Sequence, residues 1–89
     1  MRIVFTKHVY EKLKTKESVD LGIKLKTLEG ILKNPTIVDK SVDPYQSVGK
    51  LTQNLSLSVI WKVEGGIIKT ITFYPARKGR YESKILRRR

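Results

Sequence analysis

The sequence predicts an α+β fold in which an N-terminal strand and two helices pack on one face of a mostly antiparallel sheet of about five strands. Three observations support this class. Apolar residues recur with a helical period up to Asn34, they alternate with a period of two from Thr36 onward, and turn residues punctuate the second half. With 89 residues and 39% hydrophobic content, the chain fits one small domain over residues 1–89.

The N-terminal third is predicted to hold one strand and two helices. Residues 2–5 are short and β-branched, which is typical of a strand, and Thr6 follows as a helix N-cap. Val9 and Leu13 form the apolar stripe of a first, charged helix. Asn34-Pro35 ends the second helix, because proline disfavours helical geometry in the residue before it. That second helix carries leucines at spacings of four, three and four, namely Leu21, Leu25, Leu28 and Leu32.

The remaining chain is predicted to form the sheet. Residues 55–63 give the clearest strand, since apolar side chains alternate with small or polar ones along it. Pro75 is expected to end the last strand. The four predicted strands are residues 36–40, 47–52, 55–63 and 66–74.

Strand register follows from the same alternation. If Glu64-Gly65-Gly66 is a three-residue loop, Val59 faces Ile71 and Leu57 faces Phe73, so apolar residues meet apolar residues. The loop Thr52-Gln53-Asn54 then places Lys50 opposite Ser56, and Ser56 opposite Tyr74. The sheet is therefore expected to carry an open face along which three residues stand in one row: Lys50, Ser56 and Tyr74.

Positive charge dominates the composition and is unevenly distributed. The net charge is +11, and residues 46–89 hold ten Lys or Arg against two Asp or Glu, whereas residues 1–45 hold nine against six. A one-sided basic field is typical of a protein that binds a polyanion, because lysines and arginines that neutralise phosphates release condensed counterions. A basic amphipathic helix for a membrane surface is not evident, and no membrane partner is expected.

Several classes of site and location are disfavoured by composition. The chain has no Cys and a single histidine, His8, which argues against disulfides, thiolate chemistry and a His-built zinc site. We therefore expect no metal and no cofactor. No secretory h-region or membrane-spanning apolar run is present in the sequence, so a cytoplasmic location is expected.

The C-terminal segment ITFYPARKGRYESKILRRR concentrates basic residues around two tyrosines. Pro75 and Gly79 are predicted to fold this segment back over the end of the sheet. Arg87, Arg88 and Arg89 lie beyond the last apolar pair and are expected to form a mobile tail that adds affinity only.

The order of these segments resembles the RelE/ParE toxin superfamily, within the barnase, EndoU, colicin and RelE ribonuclease fold. More narrowly, FTKHVYEKL, ILKNPTIV and SVIWKVEGGIIKTITFYP resemble a group of small RelE-like domains over nearly the whole chain. The resemblance implies an antiparallel sheet with an N-terminal helical pair. It also implies that Lys and Arg on the sheet and a C-terminal Tyr supply the chemistry of RNA cleavage.

RNA cleavage by 2′-hydroxyl attack needs a base, cations for the phosphorane and an acid for the leaving oxygen. We expect Lys50 as the base, Arg77 and Arg80 on the phosphate, and Tyr81 or Tyr74 to stack on a base or donate a proton. His8, in the first turn of its helix, is a further candidate. The residues expected to bind nucleic acid are Ser56, Tyr74, Lys78, Lys84, Arg87, Arg88 and Arg89.

Three functional classes stay open from sequence. One is a toxin-type, metal-independent endoribonuclease that cleaves RNA, including ribosome-bound mRNA, and is held inactive by an acidic antitoxin protein. The second is a nucleic-acid-binding protein of the same fold without catalysis. The third is a ParE-like toxin that targets a protein. An acidic partner segment is expected on the face holding Lys50, Tyr74 and Arg80, because burying these cations unpaired is costly.

Overall fold

A computed structural model describes residues 2–88, together with the side chains up to Leu86. The fold is α+β, as predicted, and its strands form a single open sheet. Four helices accompany it, and none of those in the described range combines the length and the apolar character needed to cross a membrane. In chain order the elements are β1 (Arg2–Phe5), α1 (Lys7–Leu13), α2 (Lys16–Asp20), α3 (Leu25–Lys33), β2 (Ile37–Asp39), β3 (Tyr45–Lys50), β4 (Leu55–Glu64), β5 (Ile67–Arg77) and α4 (Arg80–Arg88).

The sheet has five strands in the order β1-β5-β4-β3-β2. Three of its four strand pairs are antiparallel, which confirms the mostly antiparallel sheet. The exception is β1, which lies at one edge and pairs in parallel with the first residues of β5, from Ile67 to Thr70. Beyond Thr70 this side of β5 carries no strand in the described part of the chain. There α1 lies beside β5, and Lys12 donates to the Phe73 carbonyl.

The hairpin between β4 and β5 differs from the predicted register. Glu64 pairs with Ile67, so the loop is the two residues Gly65-Gly66 instead of the predicted three. Both glycines have positive φ, of 56° and 76°, which is the backbone geometry that a type I′ turn requires in a two-residue hairpin loop. A bulge between Ile60 and Trp61 then shifts the register by one residue, and Val59 pairs with Phe73. The bulge restores the apolar match that the longer loop was expected to provide.

The N-terminal segment forms three short helices, whereas two were predicted. Thr6 caps α1, as expected, by accepting from the amide of Val9. Thr15 caps α2 in the same way, by accepting from the amide of Ser18. This additional cap starts a separate short helix between the two that were predicted. Asn34 is the C-cap of α3, in agreement with the predicted stop at Asn34-Pro35.

The core lies between α1–α3 and one face of the sheet, which we call the core face. Packing is close there: a Cβ built on Gly49 would lie 2.7 Å from Ile31 Cγ1. This clustering confirms that the N-terminal helices share one face. The buried members of the core cluster are Val9, Ile23, Leu28, Ile31, Leu57, Val59 and Phe73.

Pro75 does not end the last strand. β5 continues to Arg77, and Pro75 pairs with Leu57. Proline lacks an amide hydrogen and is tolerated where a strand has a free side, which β5 has beyond Thr70. The prediction that the strand ends at Pro75 is wrong because this part of β5 has a free side. That free side depends on where β1 stops, and β1 is distant in sequence.

The C-terminal helix α4 was not predicted and covers the second face of the sheet, which we call the α4 face. Ser56, whose neighbour Leu57 points into the core, donates to Glu82 Oε2 at 3.0 Å. Ile85 has no exposed surface. Helices therefore lie on both faces of the sheet, and the predicted open face is partly covered.

Candidate functional site

The predicted row of Lys50, Ser56 and Tyr74 is only half present. Lys50 pairs with Ser56, as expected, and its side chain is exposed at the end of β3. Ser56 pairs on its other side with Ala76, however, and Tyr74 pairs with Ser58. The prediction that Ser56 stands opposite Tyr74 is wrong, because the shorter loop and the bulge, whose extra residue is Ile71 of β5, together shift the register by two residues.

Ser56 does not form the floor of an open groove. It is 2% exposed, and its hydroxyl is bound to Glu82 at the first turn of α4. Glu82 Oε2 also accepts from the amide of Gly79 at 3.0 Å, so one carboxylate holds the start of α4 against the sheet. Ser56 is therefore placed to anchor α4, and it is not accessible to RNA in this arrangement.

Lys50 and Arg77, two members of the predicted catalytic set, lie on opposite faces of the sheet. Lys50 pairs with Ser56 on the α4 face, whereas Arg77 pairs with Leu55, two residues along β4 from Leu57, which is buried on the core face. Side chains alternate between faces along a strand, so this separation follows from the register. The structure therefore does not bring the expected base, Lys50, to the same face of the sheet as Arg77, which was expected on the phosphate.

Arg77 and Lys78 instead line an open cavity of about 470 Å³ at the end of the sheet, together with Gln53 and Asn54. The Lys78 amide donates to the Asn54 carbonyl at 2.9 Å, which holds the segment before α4 against the β3–β4 loop. Arg80 and Lys84 are exposed on α4. The backbone of Arg87 and Arg88 belongs to α4, whereas their side chains and Arg89 lie outside the described residues, so the mobile tail stays a prediction.

Tyr81 is half-buried on α4. Burial raises the pKa of its phenol above the usual value, the neighbouring Arg80 guanidinium opposes this shift, and Tyr74 adds to it. Tyr74 itself pairs with Ser58, two residues along β4 from the Ser56 that pairs with Lys50.

A polar cluster on α1 and β5 was only partly anticipated. His8 and Lys12 lie four residues apart, hence on one side of α1. Both contact the same hydroxyl: His8 Nε2 lies 3.2 Å and Lys12 Nζ 3.4 Å from Thr72 Oγ1. Tyr74, two residues along β5, projects on the same face as Thr72 and is 47% exposed. We call these four residues the His8 cluster.

Lys12 is the functional candidate that the sequence reasoning missed. Its ammonium group donates to the Phe73 carbonyl and lies 3.9 Å from the centroid of the Tyr74 ring. Burial lowers the pKa of Lys12 below the usual value for lysine, and the Glu17 carboxylate opposes part of that shift. One feature of the sequence could have identified Lys12: it lies four residues after His8, next to the apolar stripe of Val9 and Leu13.

A second cavity, of about 520 Å³, lies between α2 and the ends of β4 and β5. Its lining is mainly apolar, with Leu21, Leu55 and Pro75, and it carries one ammonium group, from Lys16, and two carboxylates, from Glu17 and Asp20. With two carboxylates against one ammonium group, this cavity favours phosphates less than the basic surfaces do. Among residues 2–88, no three His, Asp or Glu side chains gather as a metal site would require.

Comparisons of the chain with protein-family models, with curated proteins and with solved structures gave no significant match.

Proposed function

We propose that this chain binds single-stranded RNA across the surface around Tyr74 and cleaves it without a metal, as the RelE-like resemblance implies. One observation carries the proposal: a half-exposed tyrosine ring, with a lysine ammonium 3.9 Å from its centroid, stands in a chain of net charge +11. Nucleobases stack on exposed aromatic rings, and cations around such a ring neutralise the phosphates that join the bases.

We place the basic residues of α4 on the same proposed surface. Arg80 and Lys84 are exposed on this helix, which also carries the half-buried Tyr81. RNA fits better than duplex DNA, because unpaired bases are free to stack on a tyrosine whereas paired bases are not. The proposed place of action is the cytoplasm, where such RNA is present.

Binding without catalysis is the second candidate, and a specific observation favours it. Lys50, which was expected as the base, and Arg77, which was expected on the phosphate, lie on opposite faces of the sheet. A binding surface tolerates such separation, since each cation contributes to affinity independently, whereas a catalytic set does not.

An acidic protein partner is proposed for the same surface. Its carboxylates would pair with the cations that otherwise contact phosphates, and it would therefore compete with RNA. A titration of the protein–RNA complex with the candidate partner tests this: release of RNA supports the competition, and formation of a ternary complex refutes it.

The test of the function uses pure protein and a short fluorescent single-stranded RNA, with a 2′-O-methyl RNA of the same sequence that cannot undergo 2′-hydroxyl attack. We expect both to bind, with an affinity that falls by about 10-fold or more between roughly 50 and 200 mM salt. Only the unmodified RNA should yield discrete products, in the presence of a metal chelator. Binding of both RNAs with no products would leave the second candidate, and no binding to either would refute both.

A further inference from the structure

The His8 cluster suggests where the proposed cleavage takes place, and this inference rests on the proposed function. The predicted catalytic set does not converge, since Lys50 and Arg77 lie on opposite faces of the sheet. In contrast, His8 and Lys12 contact one oxygen atom, Thr72 Oγ1, from the same side of α1. Two groups able to exchange protons are thus held next to each other and next to the exposed ring of Tyr74.

His8 has the surroundings that a general base requires. It is exposed, so a substrate can reach it, and Thr72 fixes one side of its ring. In the neutral tautomer whose Nε2 donates to Thr72 Oγ1, the other ring nitrogen, Nδ1, carries no proton and is able to accept one. Thr72 is 7% exposed and is held in the sheet, so it acts as a rigid positioning residue for the imidazole.

Lys12 has the surroundings of a proton donor. Its ammonium group is held by the Phe73 carbonyl and by the Tyr74 ring, while its bond to Thr72 is long, at 3.4 Å. A ligand oxygen can replace that long bond without displacing the other two contacts. Its partial burial also favours release of the proton compared with a lysine in water.

We propose that His8 and Lys12 are the base and the acid of RNA cleavage, with Thr72 positioning His8 and Tyr74 holding a nucleobase. His8 Nδ1 takes the proton of the ribose 2′-hydroxyl, and the 2′-oxygen forms a bond to the adjacent phosphorus. The bond from phosphorus to the 5′-oxygen breaks, and that oxygen receives a proton from the Lys12 ammonium. The products are a 2′,3′-cyclic phosphate and a 5′-hydroxyl, and exchange with water returns both side chains to their starting protonation states.

The test separates rate from binding. Single-turnover cleavage of the unmodified RNA gives the rate at saturation, and anisotropy with the 2′-O-methyl RNA gives the Kd. We expect His8→Gln to lower the rate by about 100-fold or more and to leave the Kd within about twofold. Lys12→Arg keeps the charge but removes an effective acid, and should also lower the rate by about 100-fold. Lys14→Arg, on an exposed position of the same segment, is the matched control and should cleave at the wild-type rate.

Chemical rescue distinguishes catalysis from a structural role. In the His8→Ala variant, free imidazole should restore part of the rate, since it supplies the missing base, whereas an indirect effect on folding would not respond. Because His8 is exposed, its substitution is expected to leave the thermal midpoint unchanged, which circular dichroism checks.

Each remaining outcome is decisive. If the wild type cleaves and His8→Gln and Lys12→Arg cleave equally well, while Lys50→Ala or Arg80→Ala does not, the inference is wrong and cleavage belongs to the predicted set. If the wild type binds RNA without cleaving it, the inference is wrong and the binding function stands. If the wild type does not bind RNA, the proposed function itself fails.

Discussion

The ammonium nitrogen of Lys12 lies 3.9 Å from the centroid of the Tyr74 ring. A cation at this distance is attracted to the negative face of the ring, by about 0.5–2 kcal/mol. Because Lys12 also donates to the Phe73 carbonyl, α1 is tied to the side of β5 that β1 leaves free. The contact joins the N-terminal helix to the tyrosine on which the proposed RNA surface depends.

Gly49 is required by close packing between β3 and α3. A Cβ at this position would lie 2.7 Å from Ile31 Cγ1 and 3.3 Å from Ile31 Cγ2, and Ile31 is a buried, β-branched residue with little freedom to move. We expect Gly49→Ala to lower the free energy of unfolding by about 1–3 kcal/mol, measured by urea denaturation.

The matched control is Gly30→Ala on α3, where a Cβ would meet nothing within 4 Å. Because alanine favours the helix more than glycine does, this variant should gain about 0.5–1 kcal/mol. A Gly49→Ala protein as stable as the wild type would show that α3 does not pack on β3 in this way.

Ile85 is expected to fix α4 to the sheet. It has no exposed surface, whereas the adjacent Leu86 is 60% exposed. Ile85→Ala should therefore cost about 2–5 kcal/mol of stability, and Leu86→Ala no more than about 0.5 kcal/mol. Amide hydrogen exchange in α4 provides a second readout, since loss of the Ile85 contact should accelerate it. Equal effects of the two substitutions would contradict the packing of α4.

Tyr81 should make the protein sensitive to alkali. Its pKa in the folded state is raised above 10.0, so folding favours the protonated phenol. The resulting stability is present below about pH 10 and is lost as the pH rises through the folded pKa. Lys12 acts in the opposite sense, because its folded pKa is lowered from the usual 10.5. Its contribution to the stability of the fold therefore rises with pH between the lowered folded pKa and 10.5.

Comparing the wild type with Tyr81→Phe isolates the loss of stability that the Tyr81 phenol causes in alkali, because Lys12 is present in both proteins. We expect the phenylalanine variant to lose less stability between about pH 9 and about pH 11, as measured by thermal unfolding. The absorbance titration of the variant should also lack the contribution of the Tyr81 phenol, whose pKa is raised by burial in the wild type. Identical alkaline profiles would show that Tyr81 is not buried as described.

Sequence periodicity predicted the elements whose residues bury one regular face. The alternation along β4 located that strand to within one residue of its end, and the leucines of α3 and the stop at Asn34-Pro35 were also predicted. The pairing of Lys50 with Ser56 followed from the short loop between β3 and β4. In each case, contacts between neighbours in sequence determine the structure.

The features that were missed depend on contacts distant in sequence. α4 is strongly charged, and its packing on the sheet is shown by the buried Ile85 and by the anchor from Ser56 to Glu82. Pro75 is tolerated because β1 stops early, and the bulge at Ile60 and Trp61 compensates for a loop length that sequence alone leaves open. Lys12 was missed for the same reason, since its partners lie about sixty residues away on β5.

RNA is proposed to bind on Tyr74, and Tyr10 provides a closely matched control for this claim. The two tyrosines are 47% and 48% exposed, but Tyr10 lies on α1 with its ring edge-on to Phe5, away from the His8 cluster. The most direct measurement is the Kd of Tyr74→Ala and of Tyr10→Ala for the 2′-O-methyl single-stranded RNA. Loss of one stacked base should weaken the Tyr74 variant by about fivefold to a hundredfold and leave the Tyr10 variant near the wild type. Equal affinities for the two variants would contradict the claim.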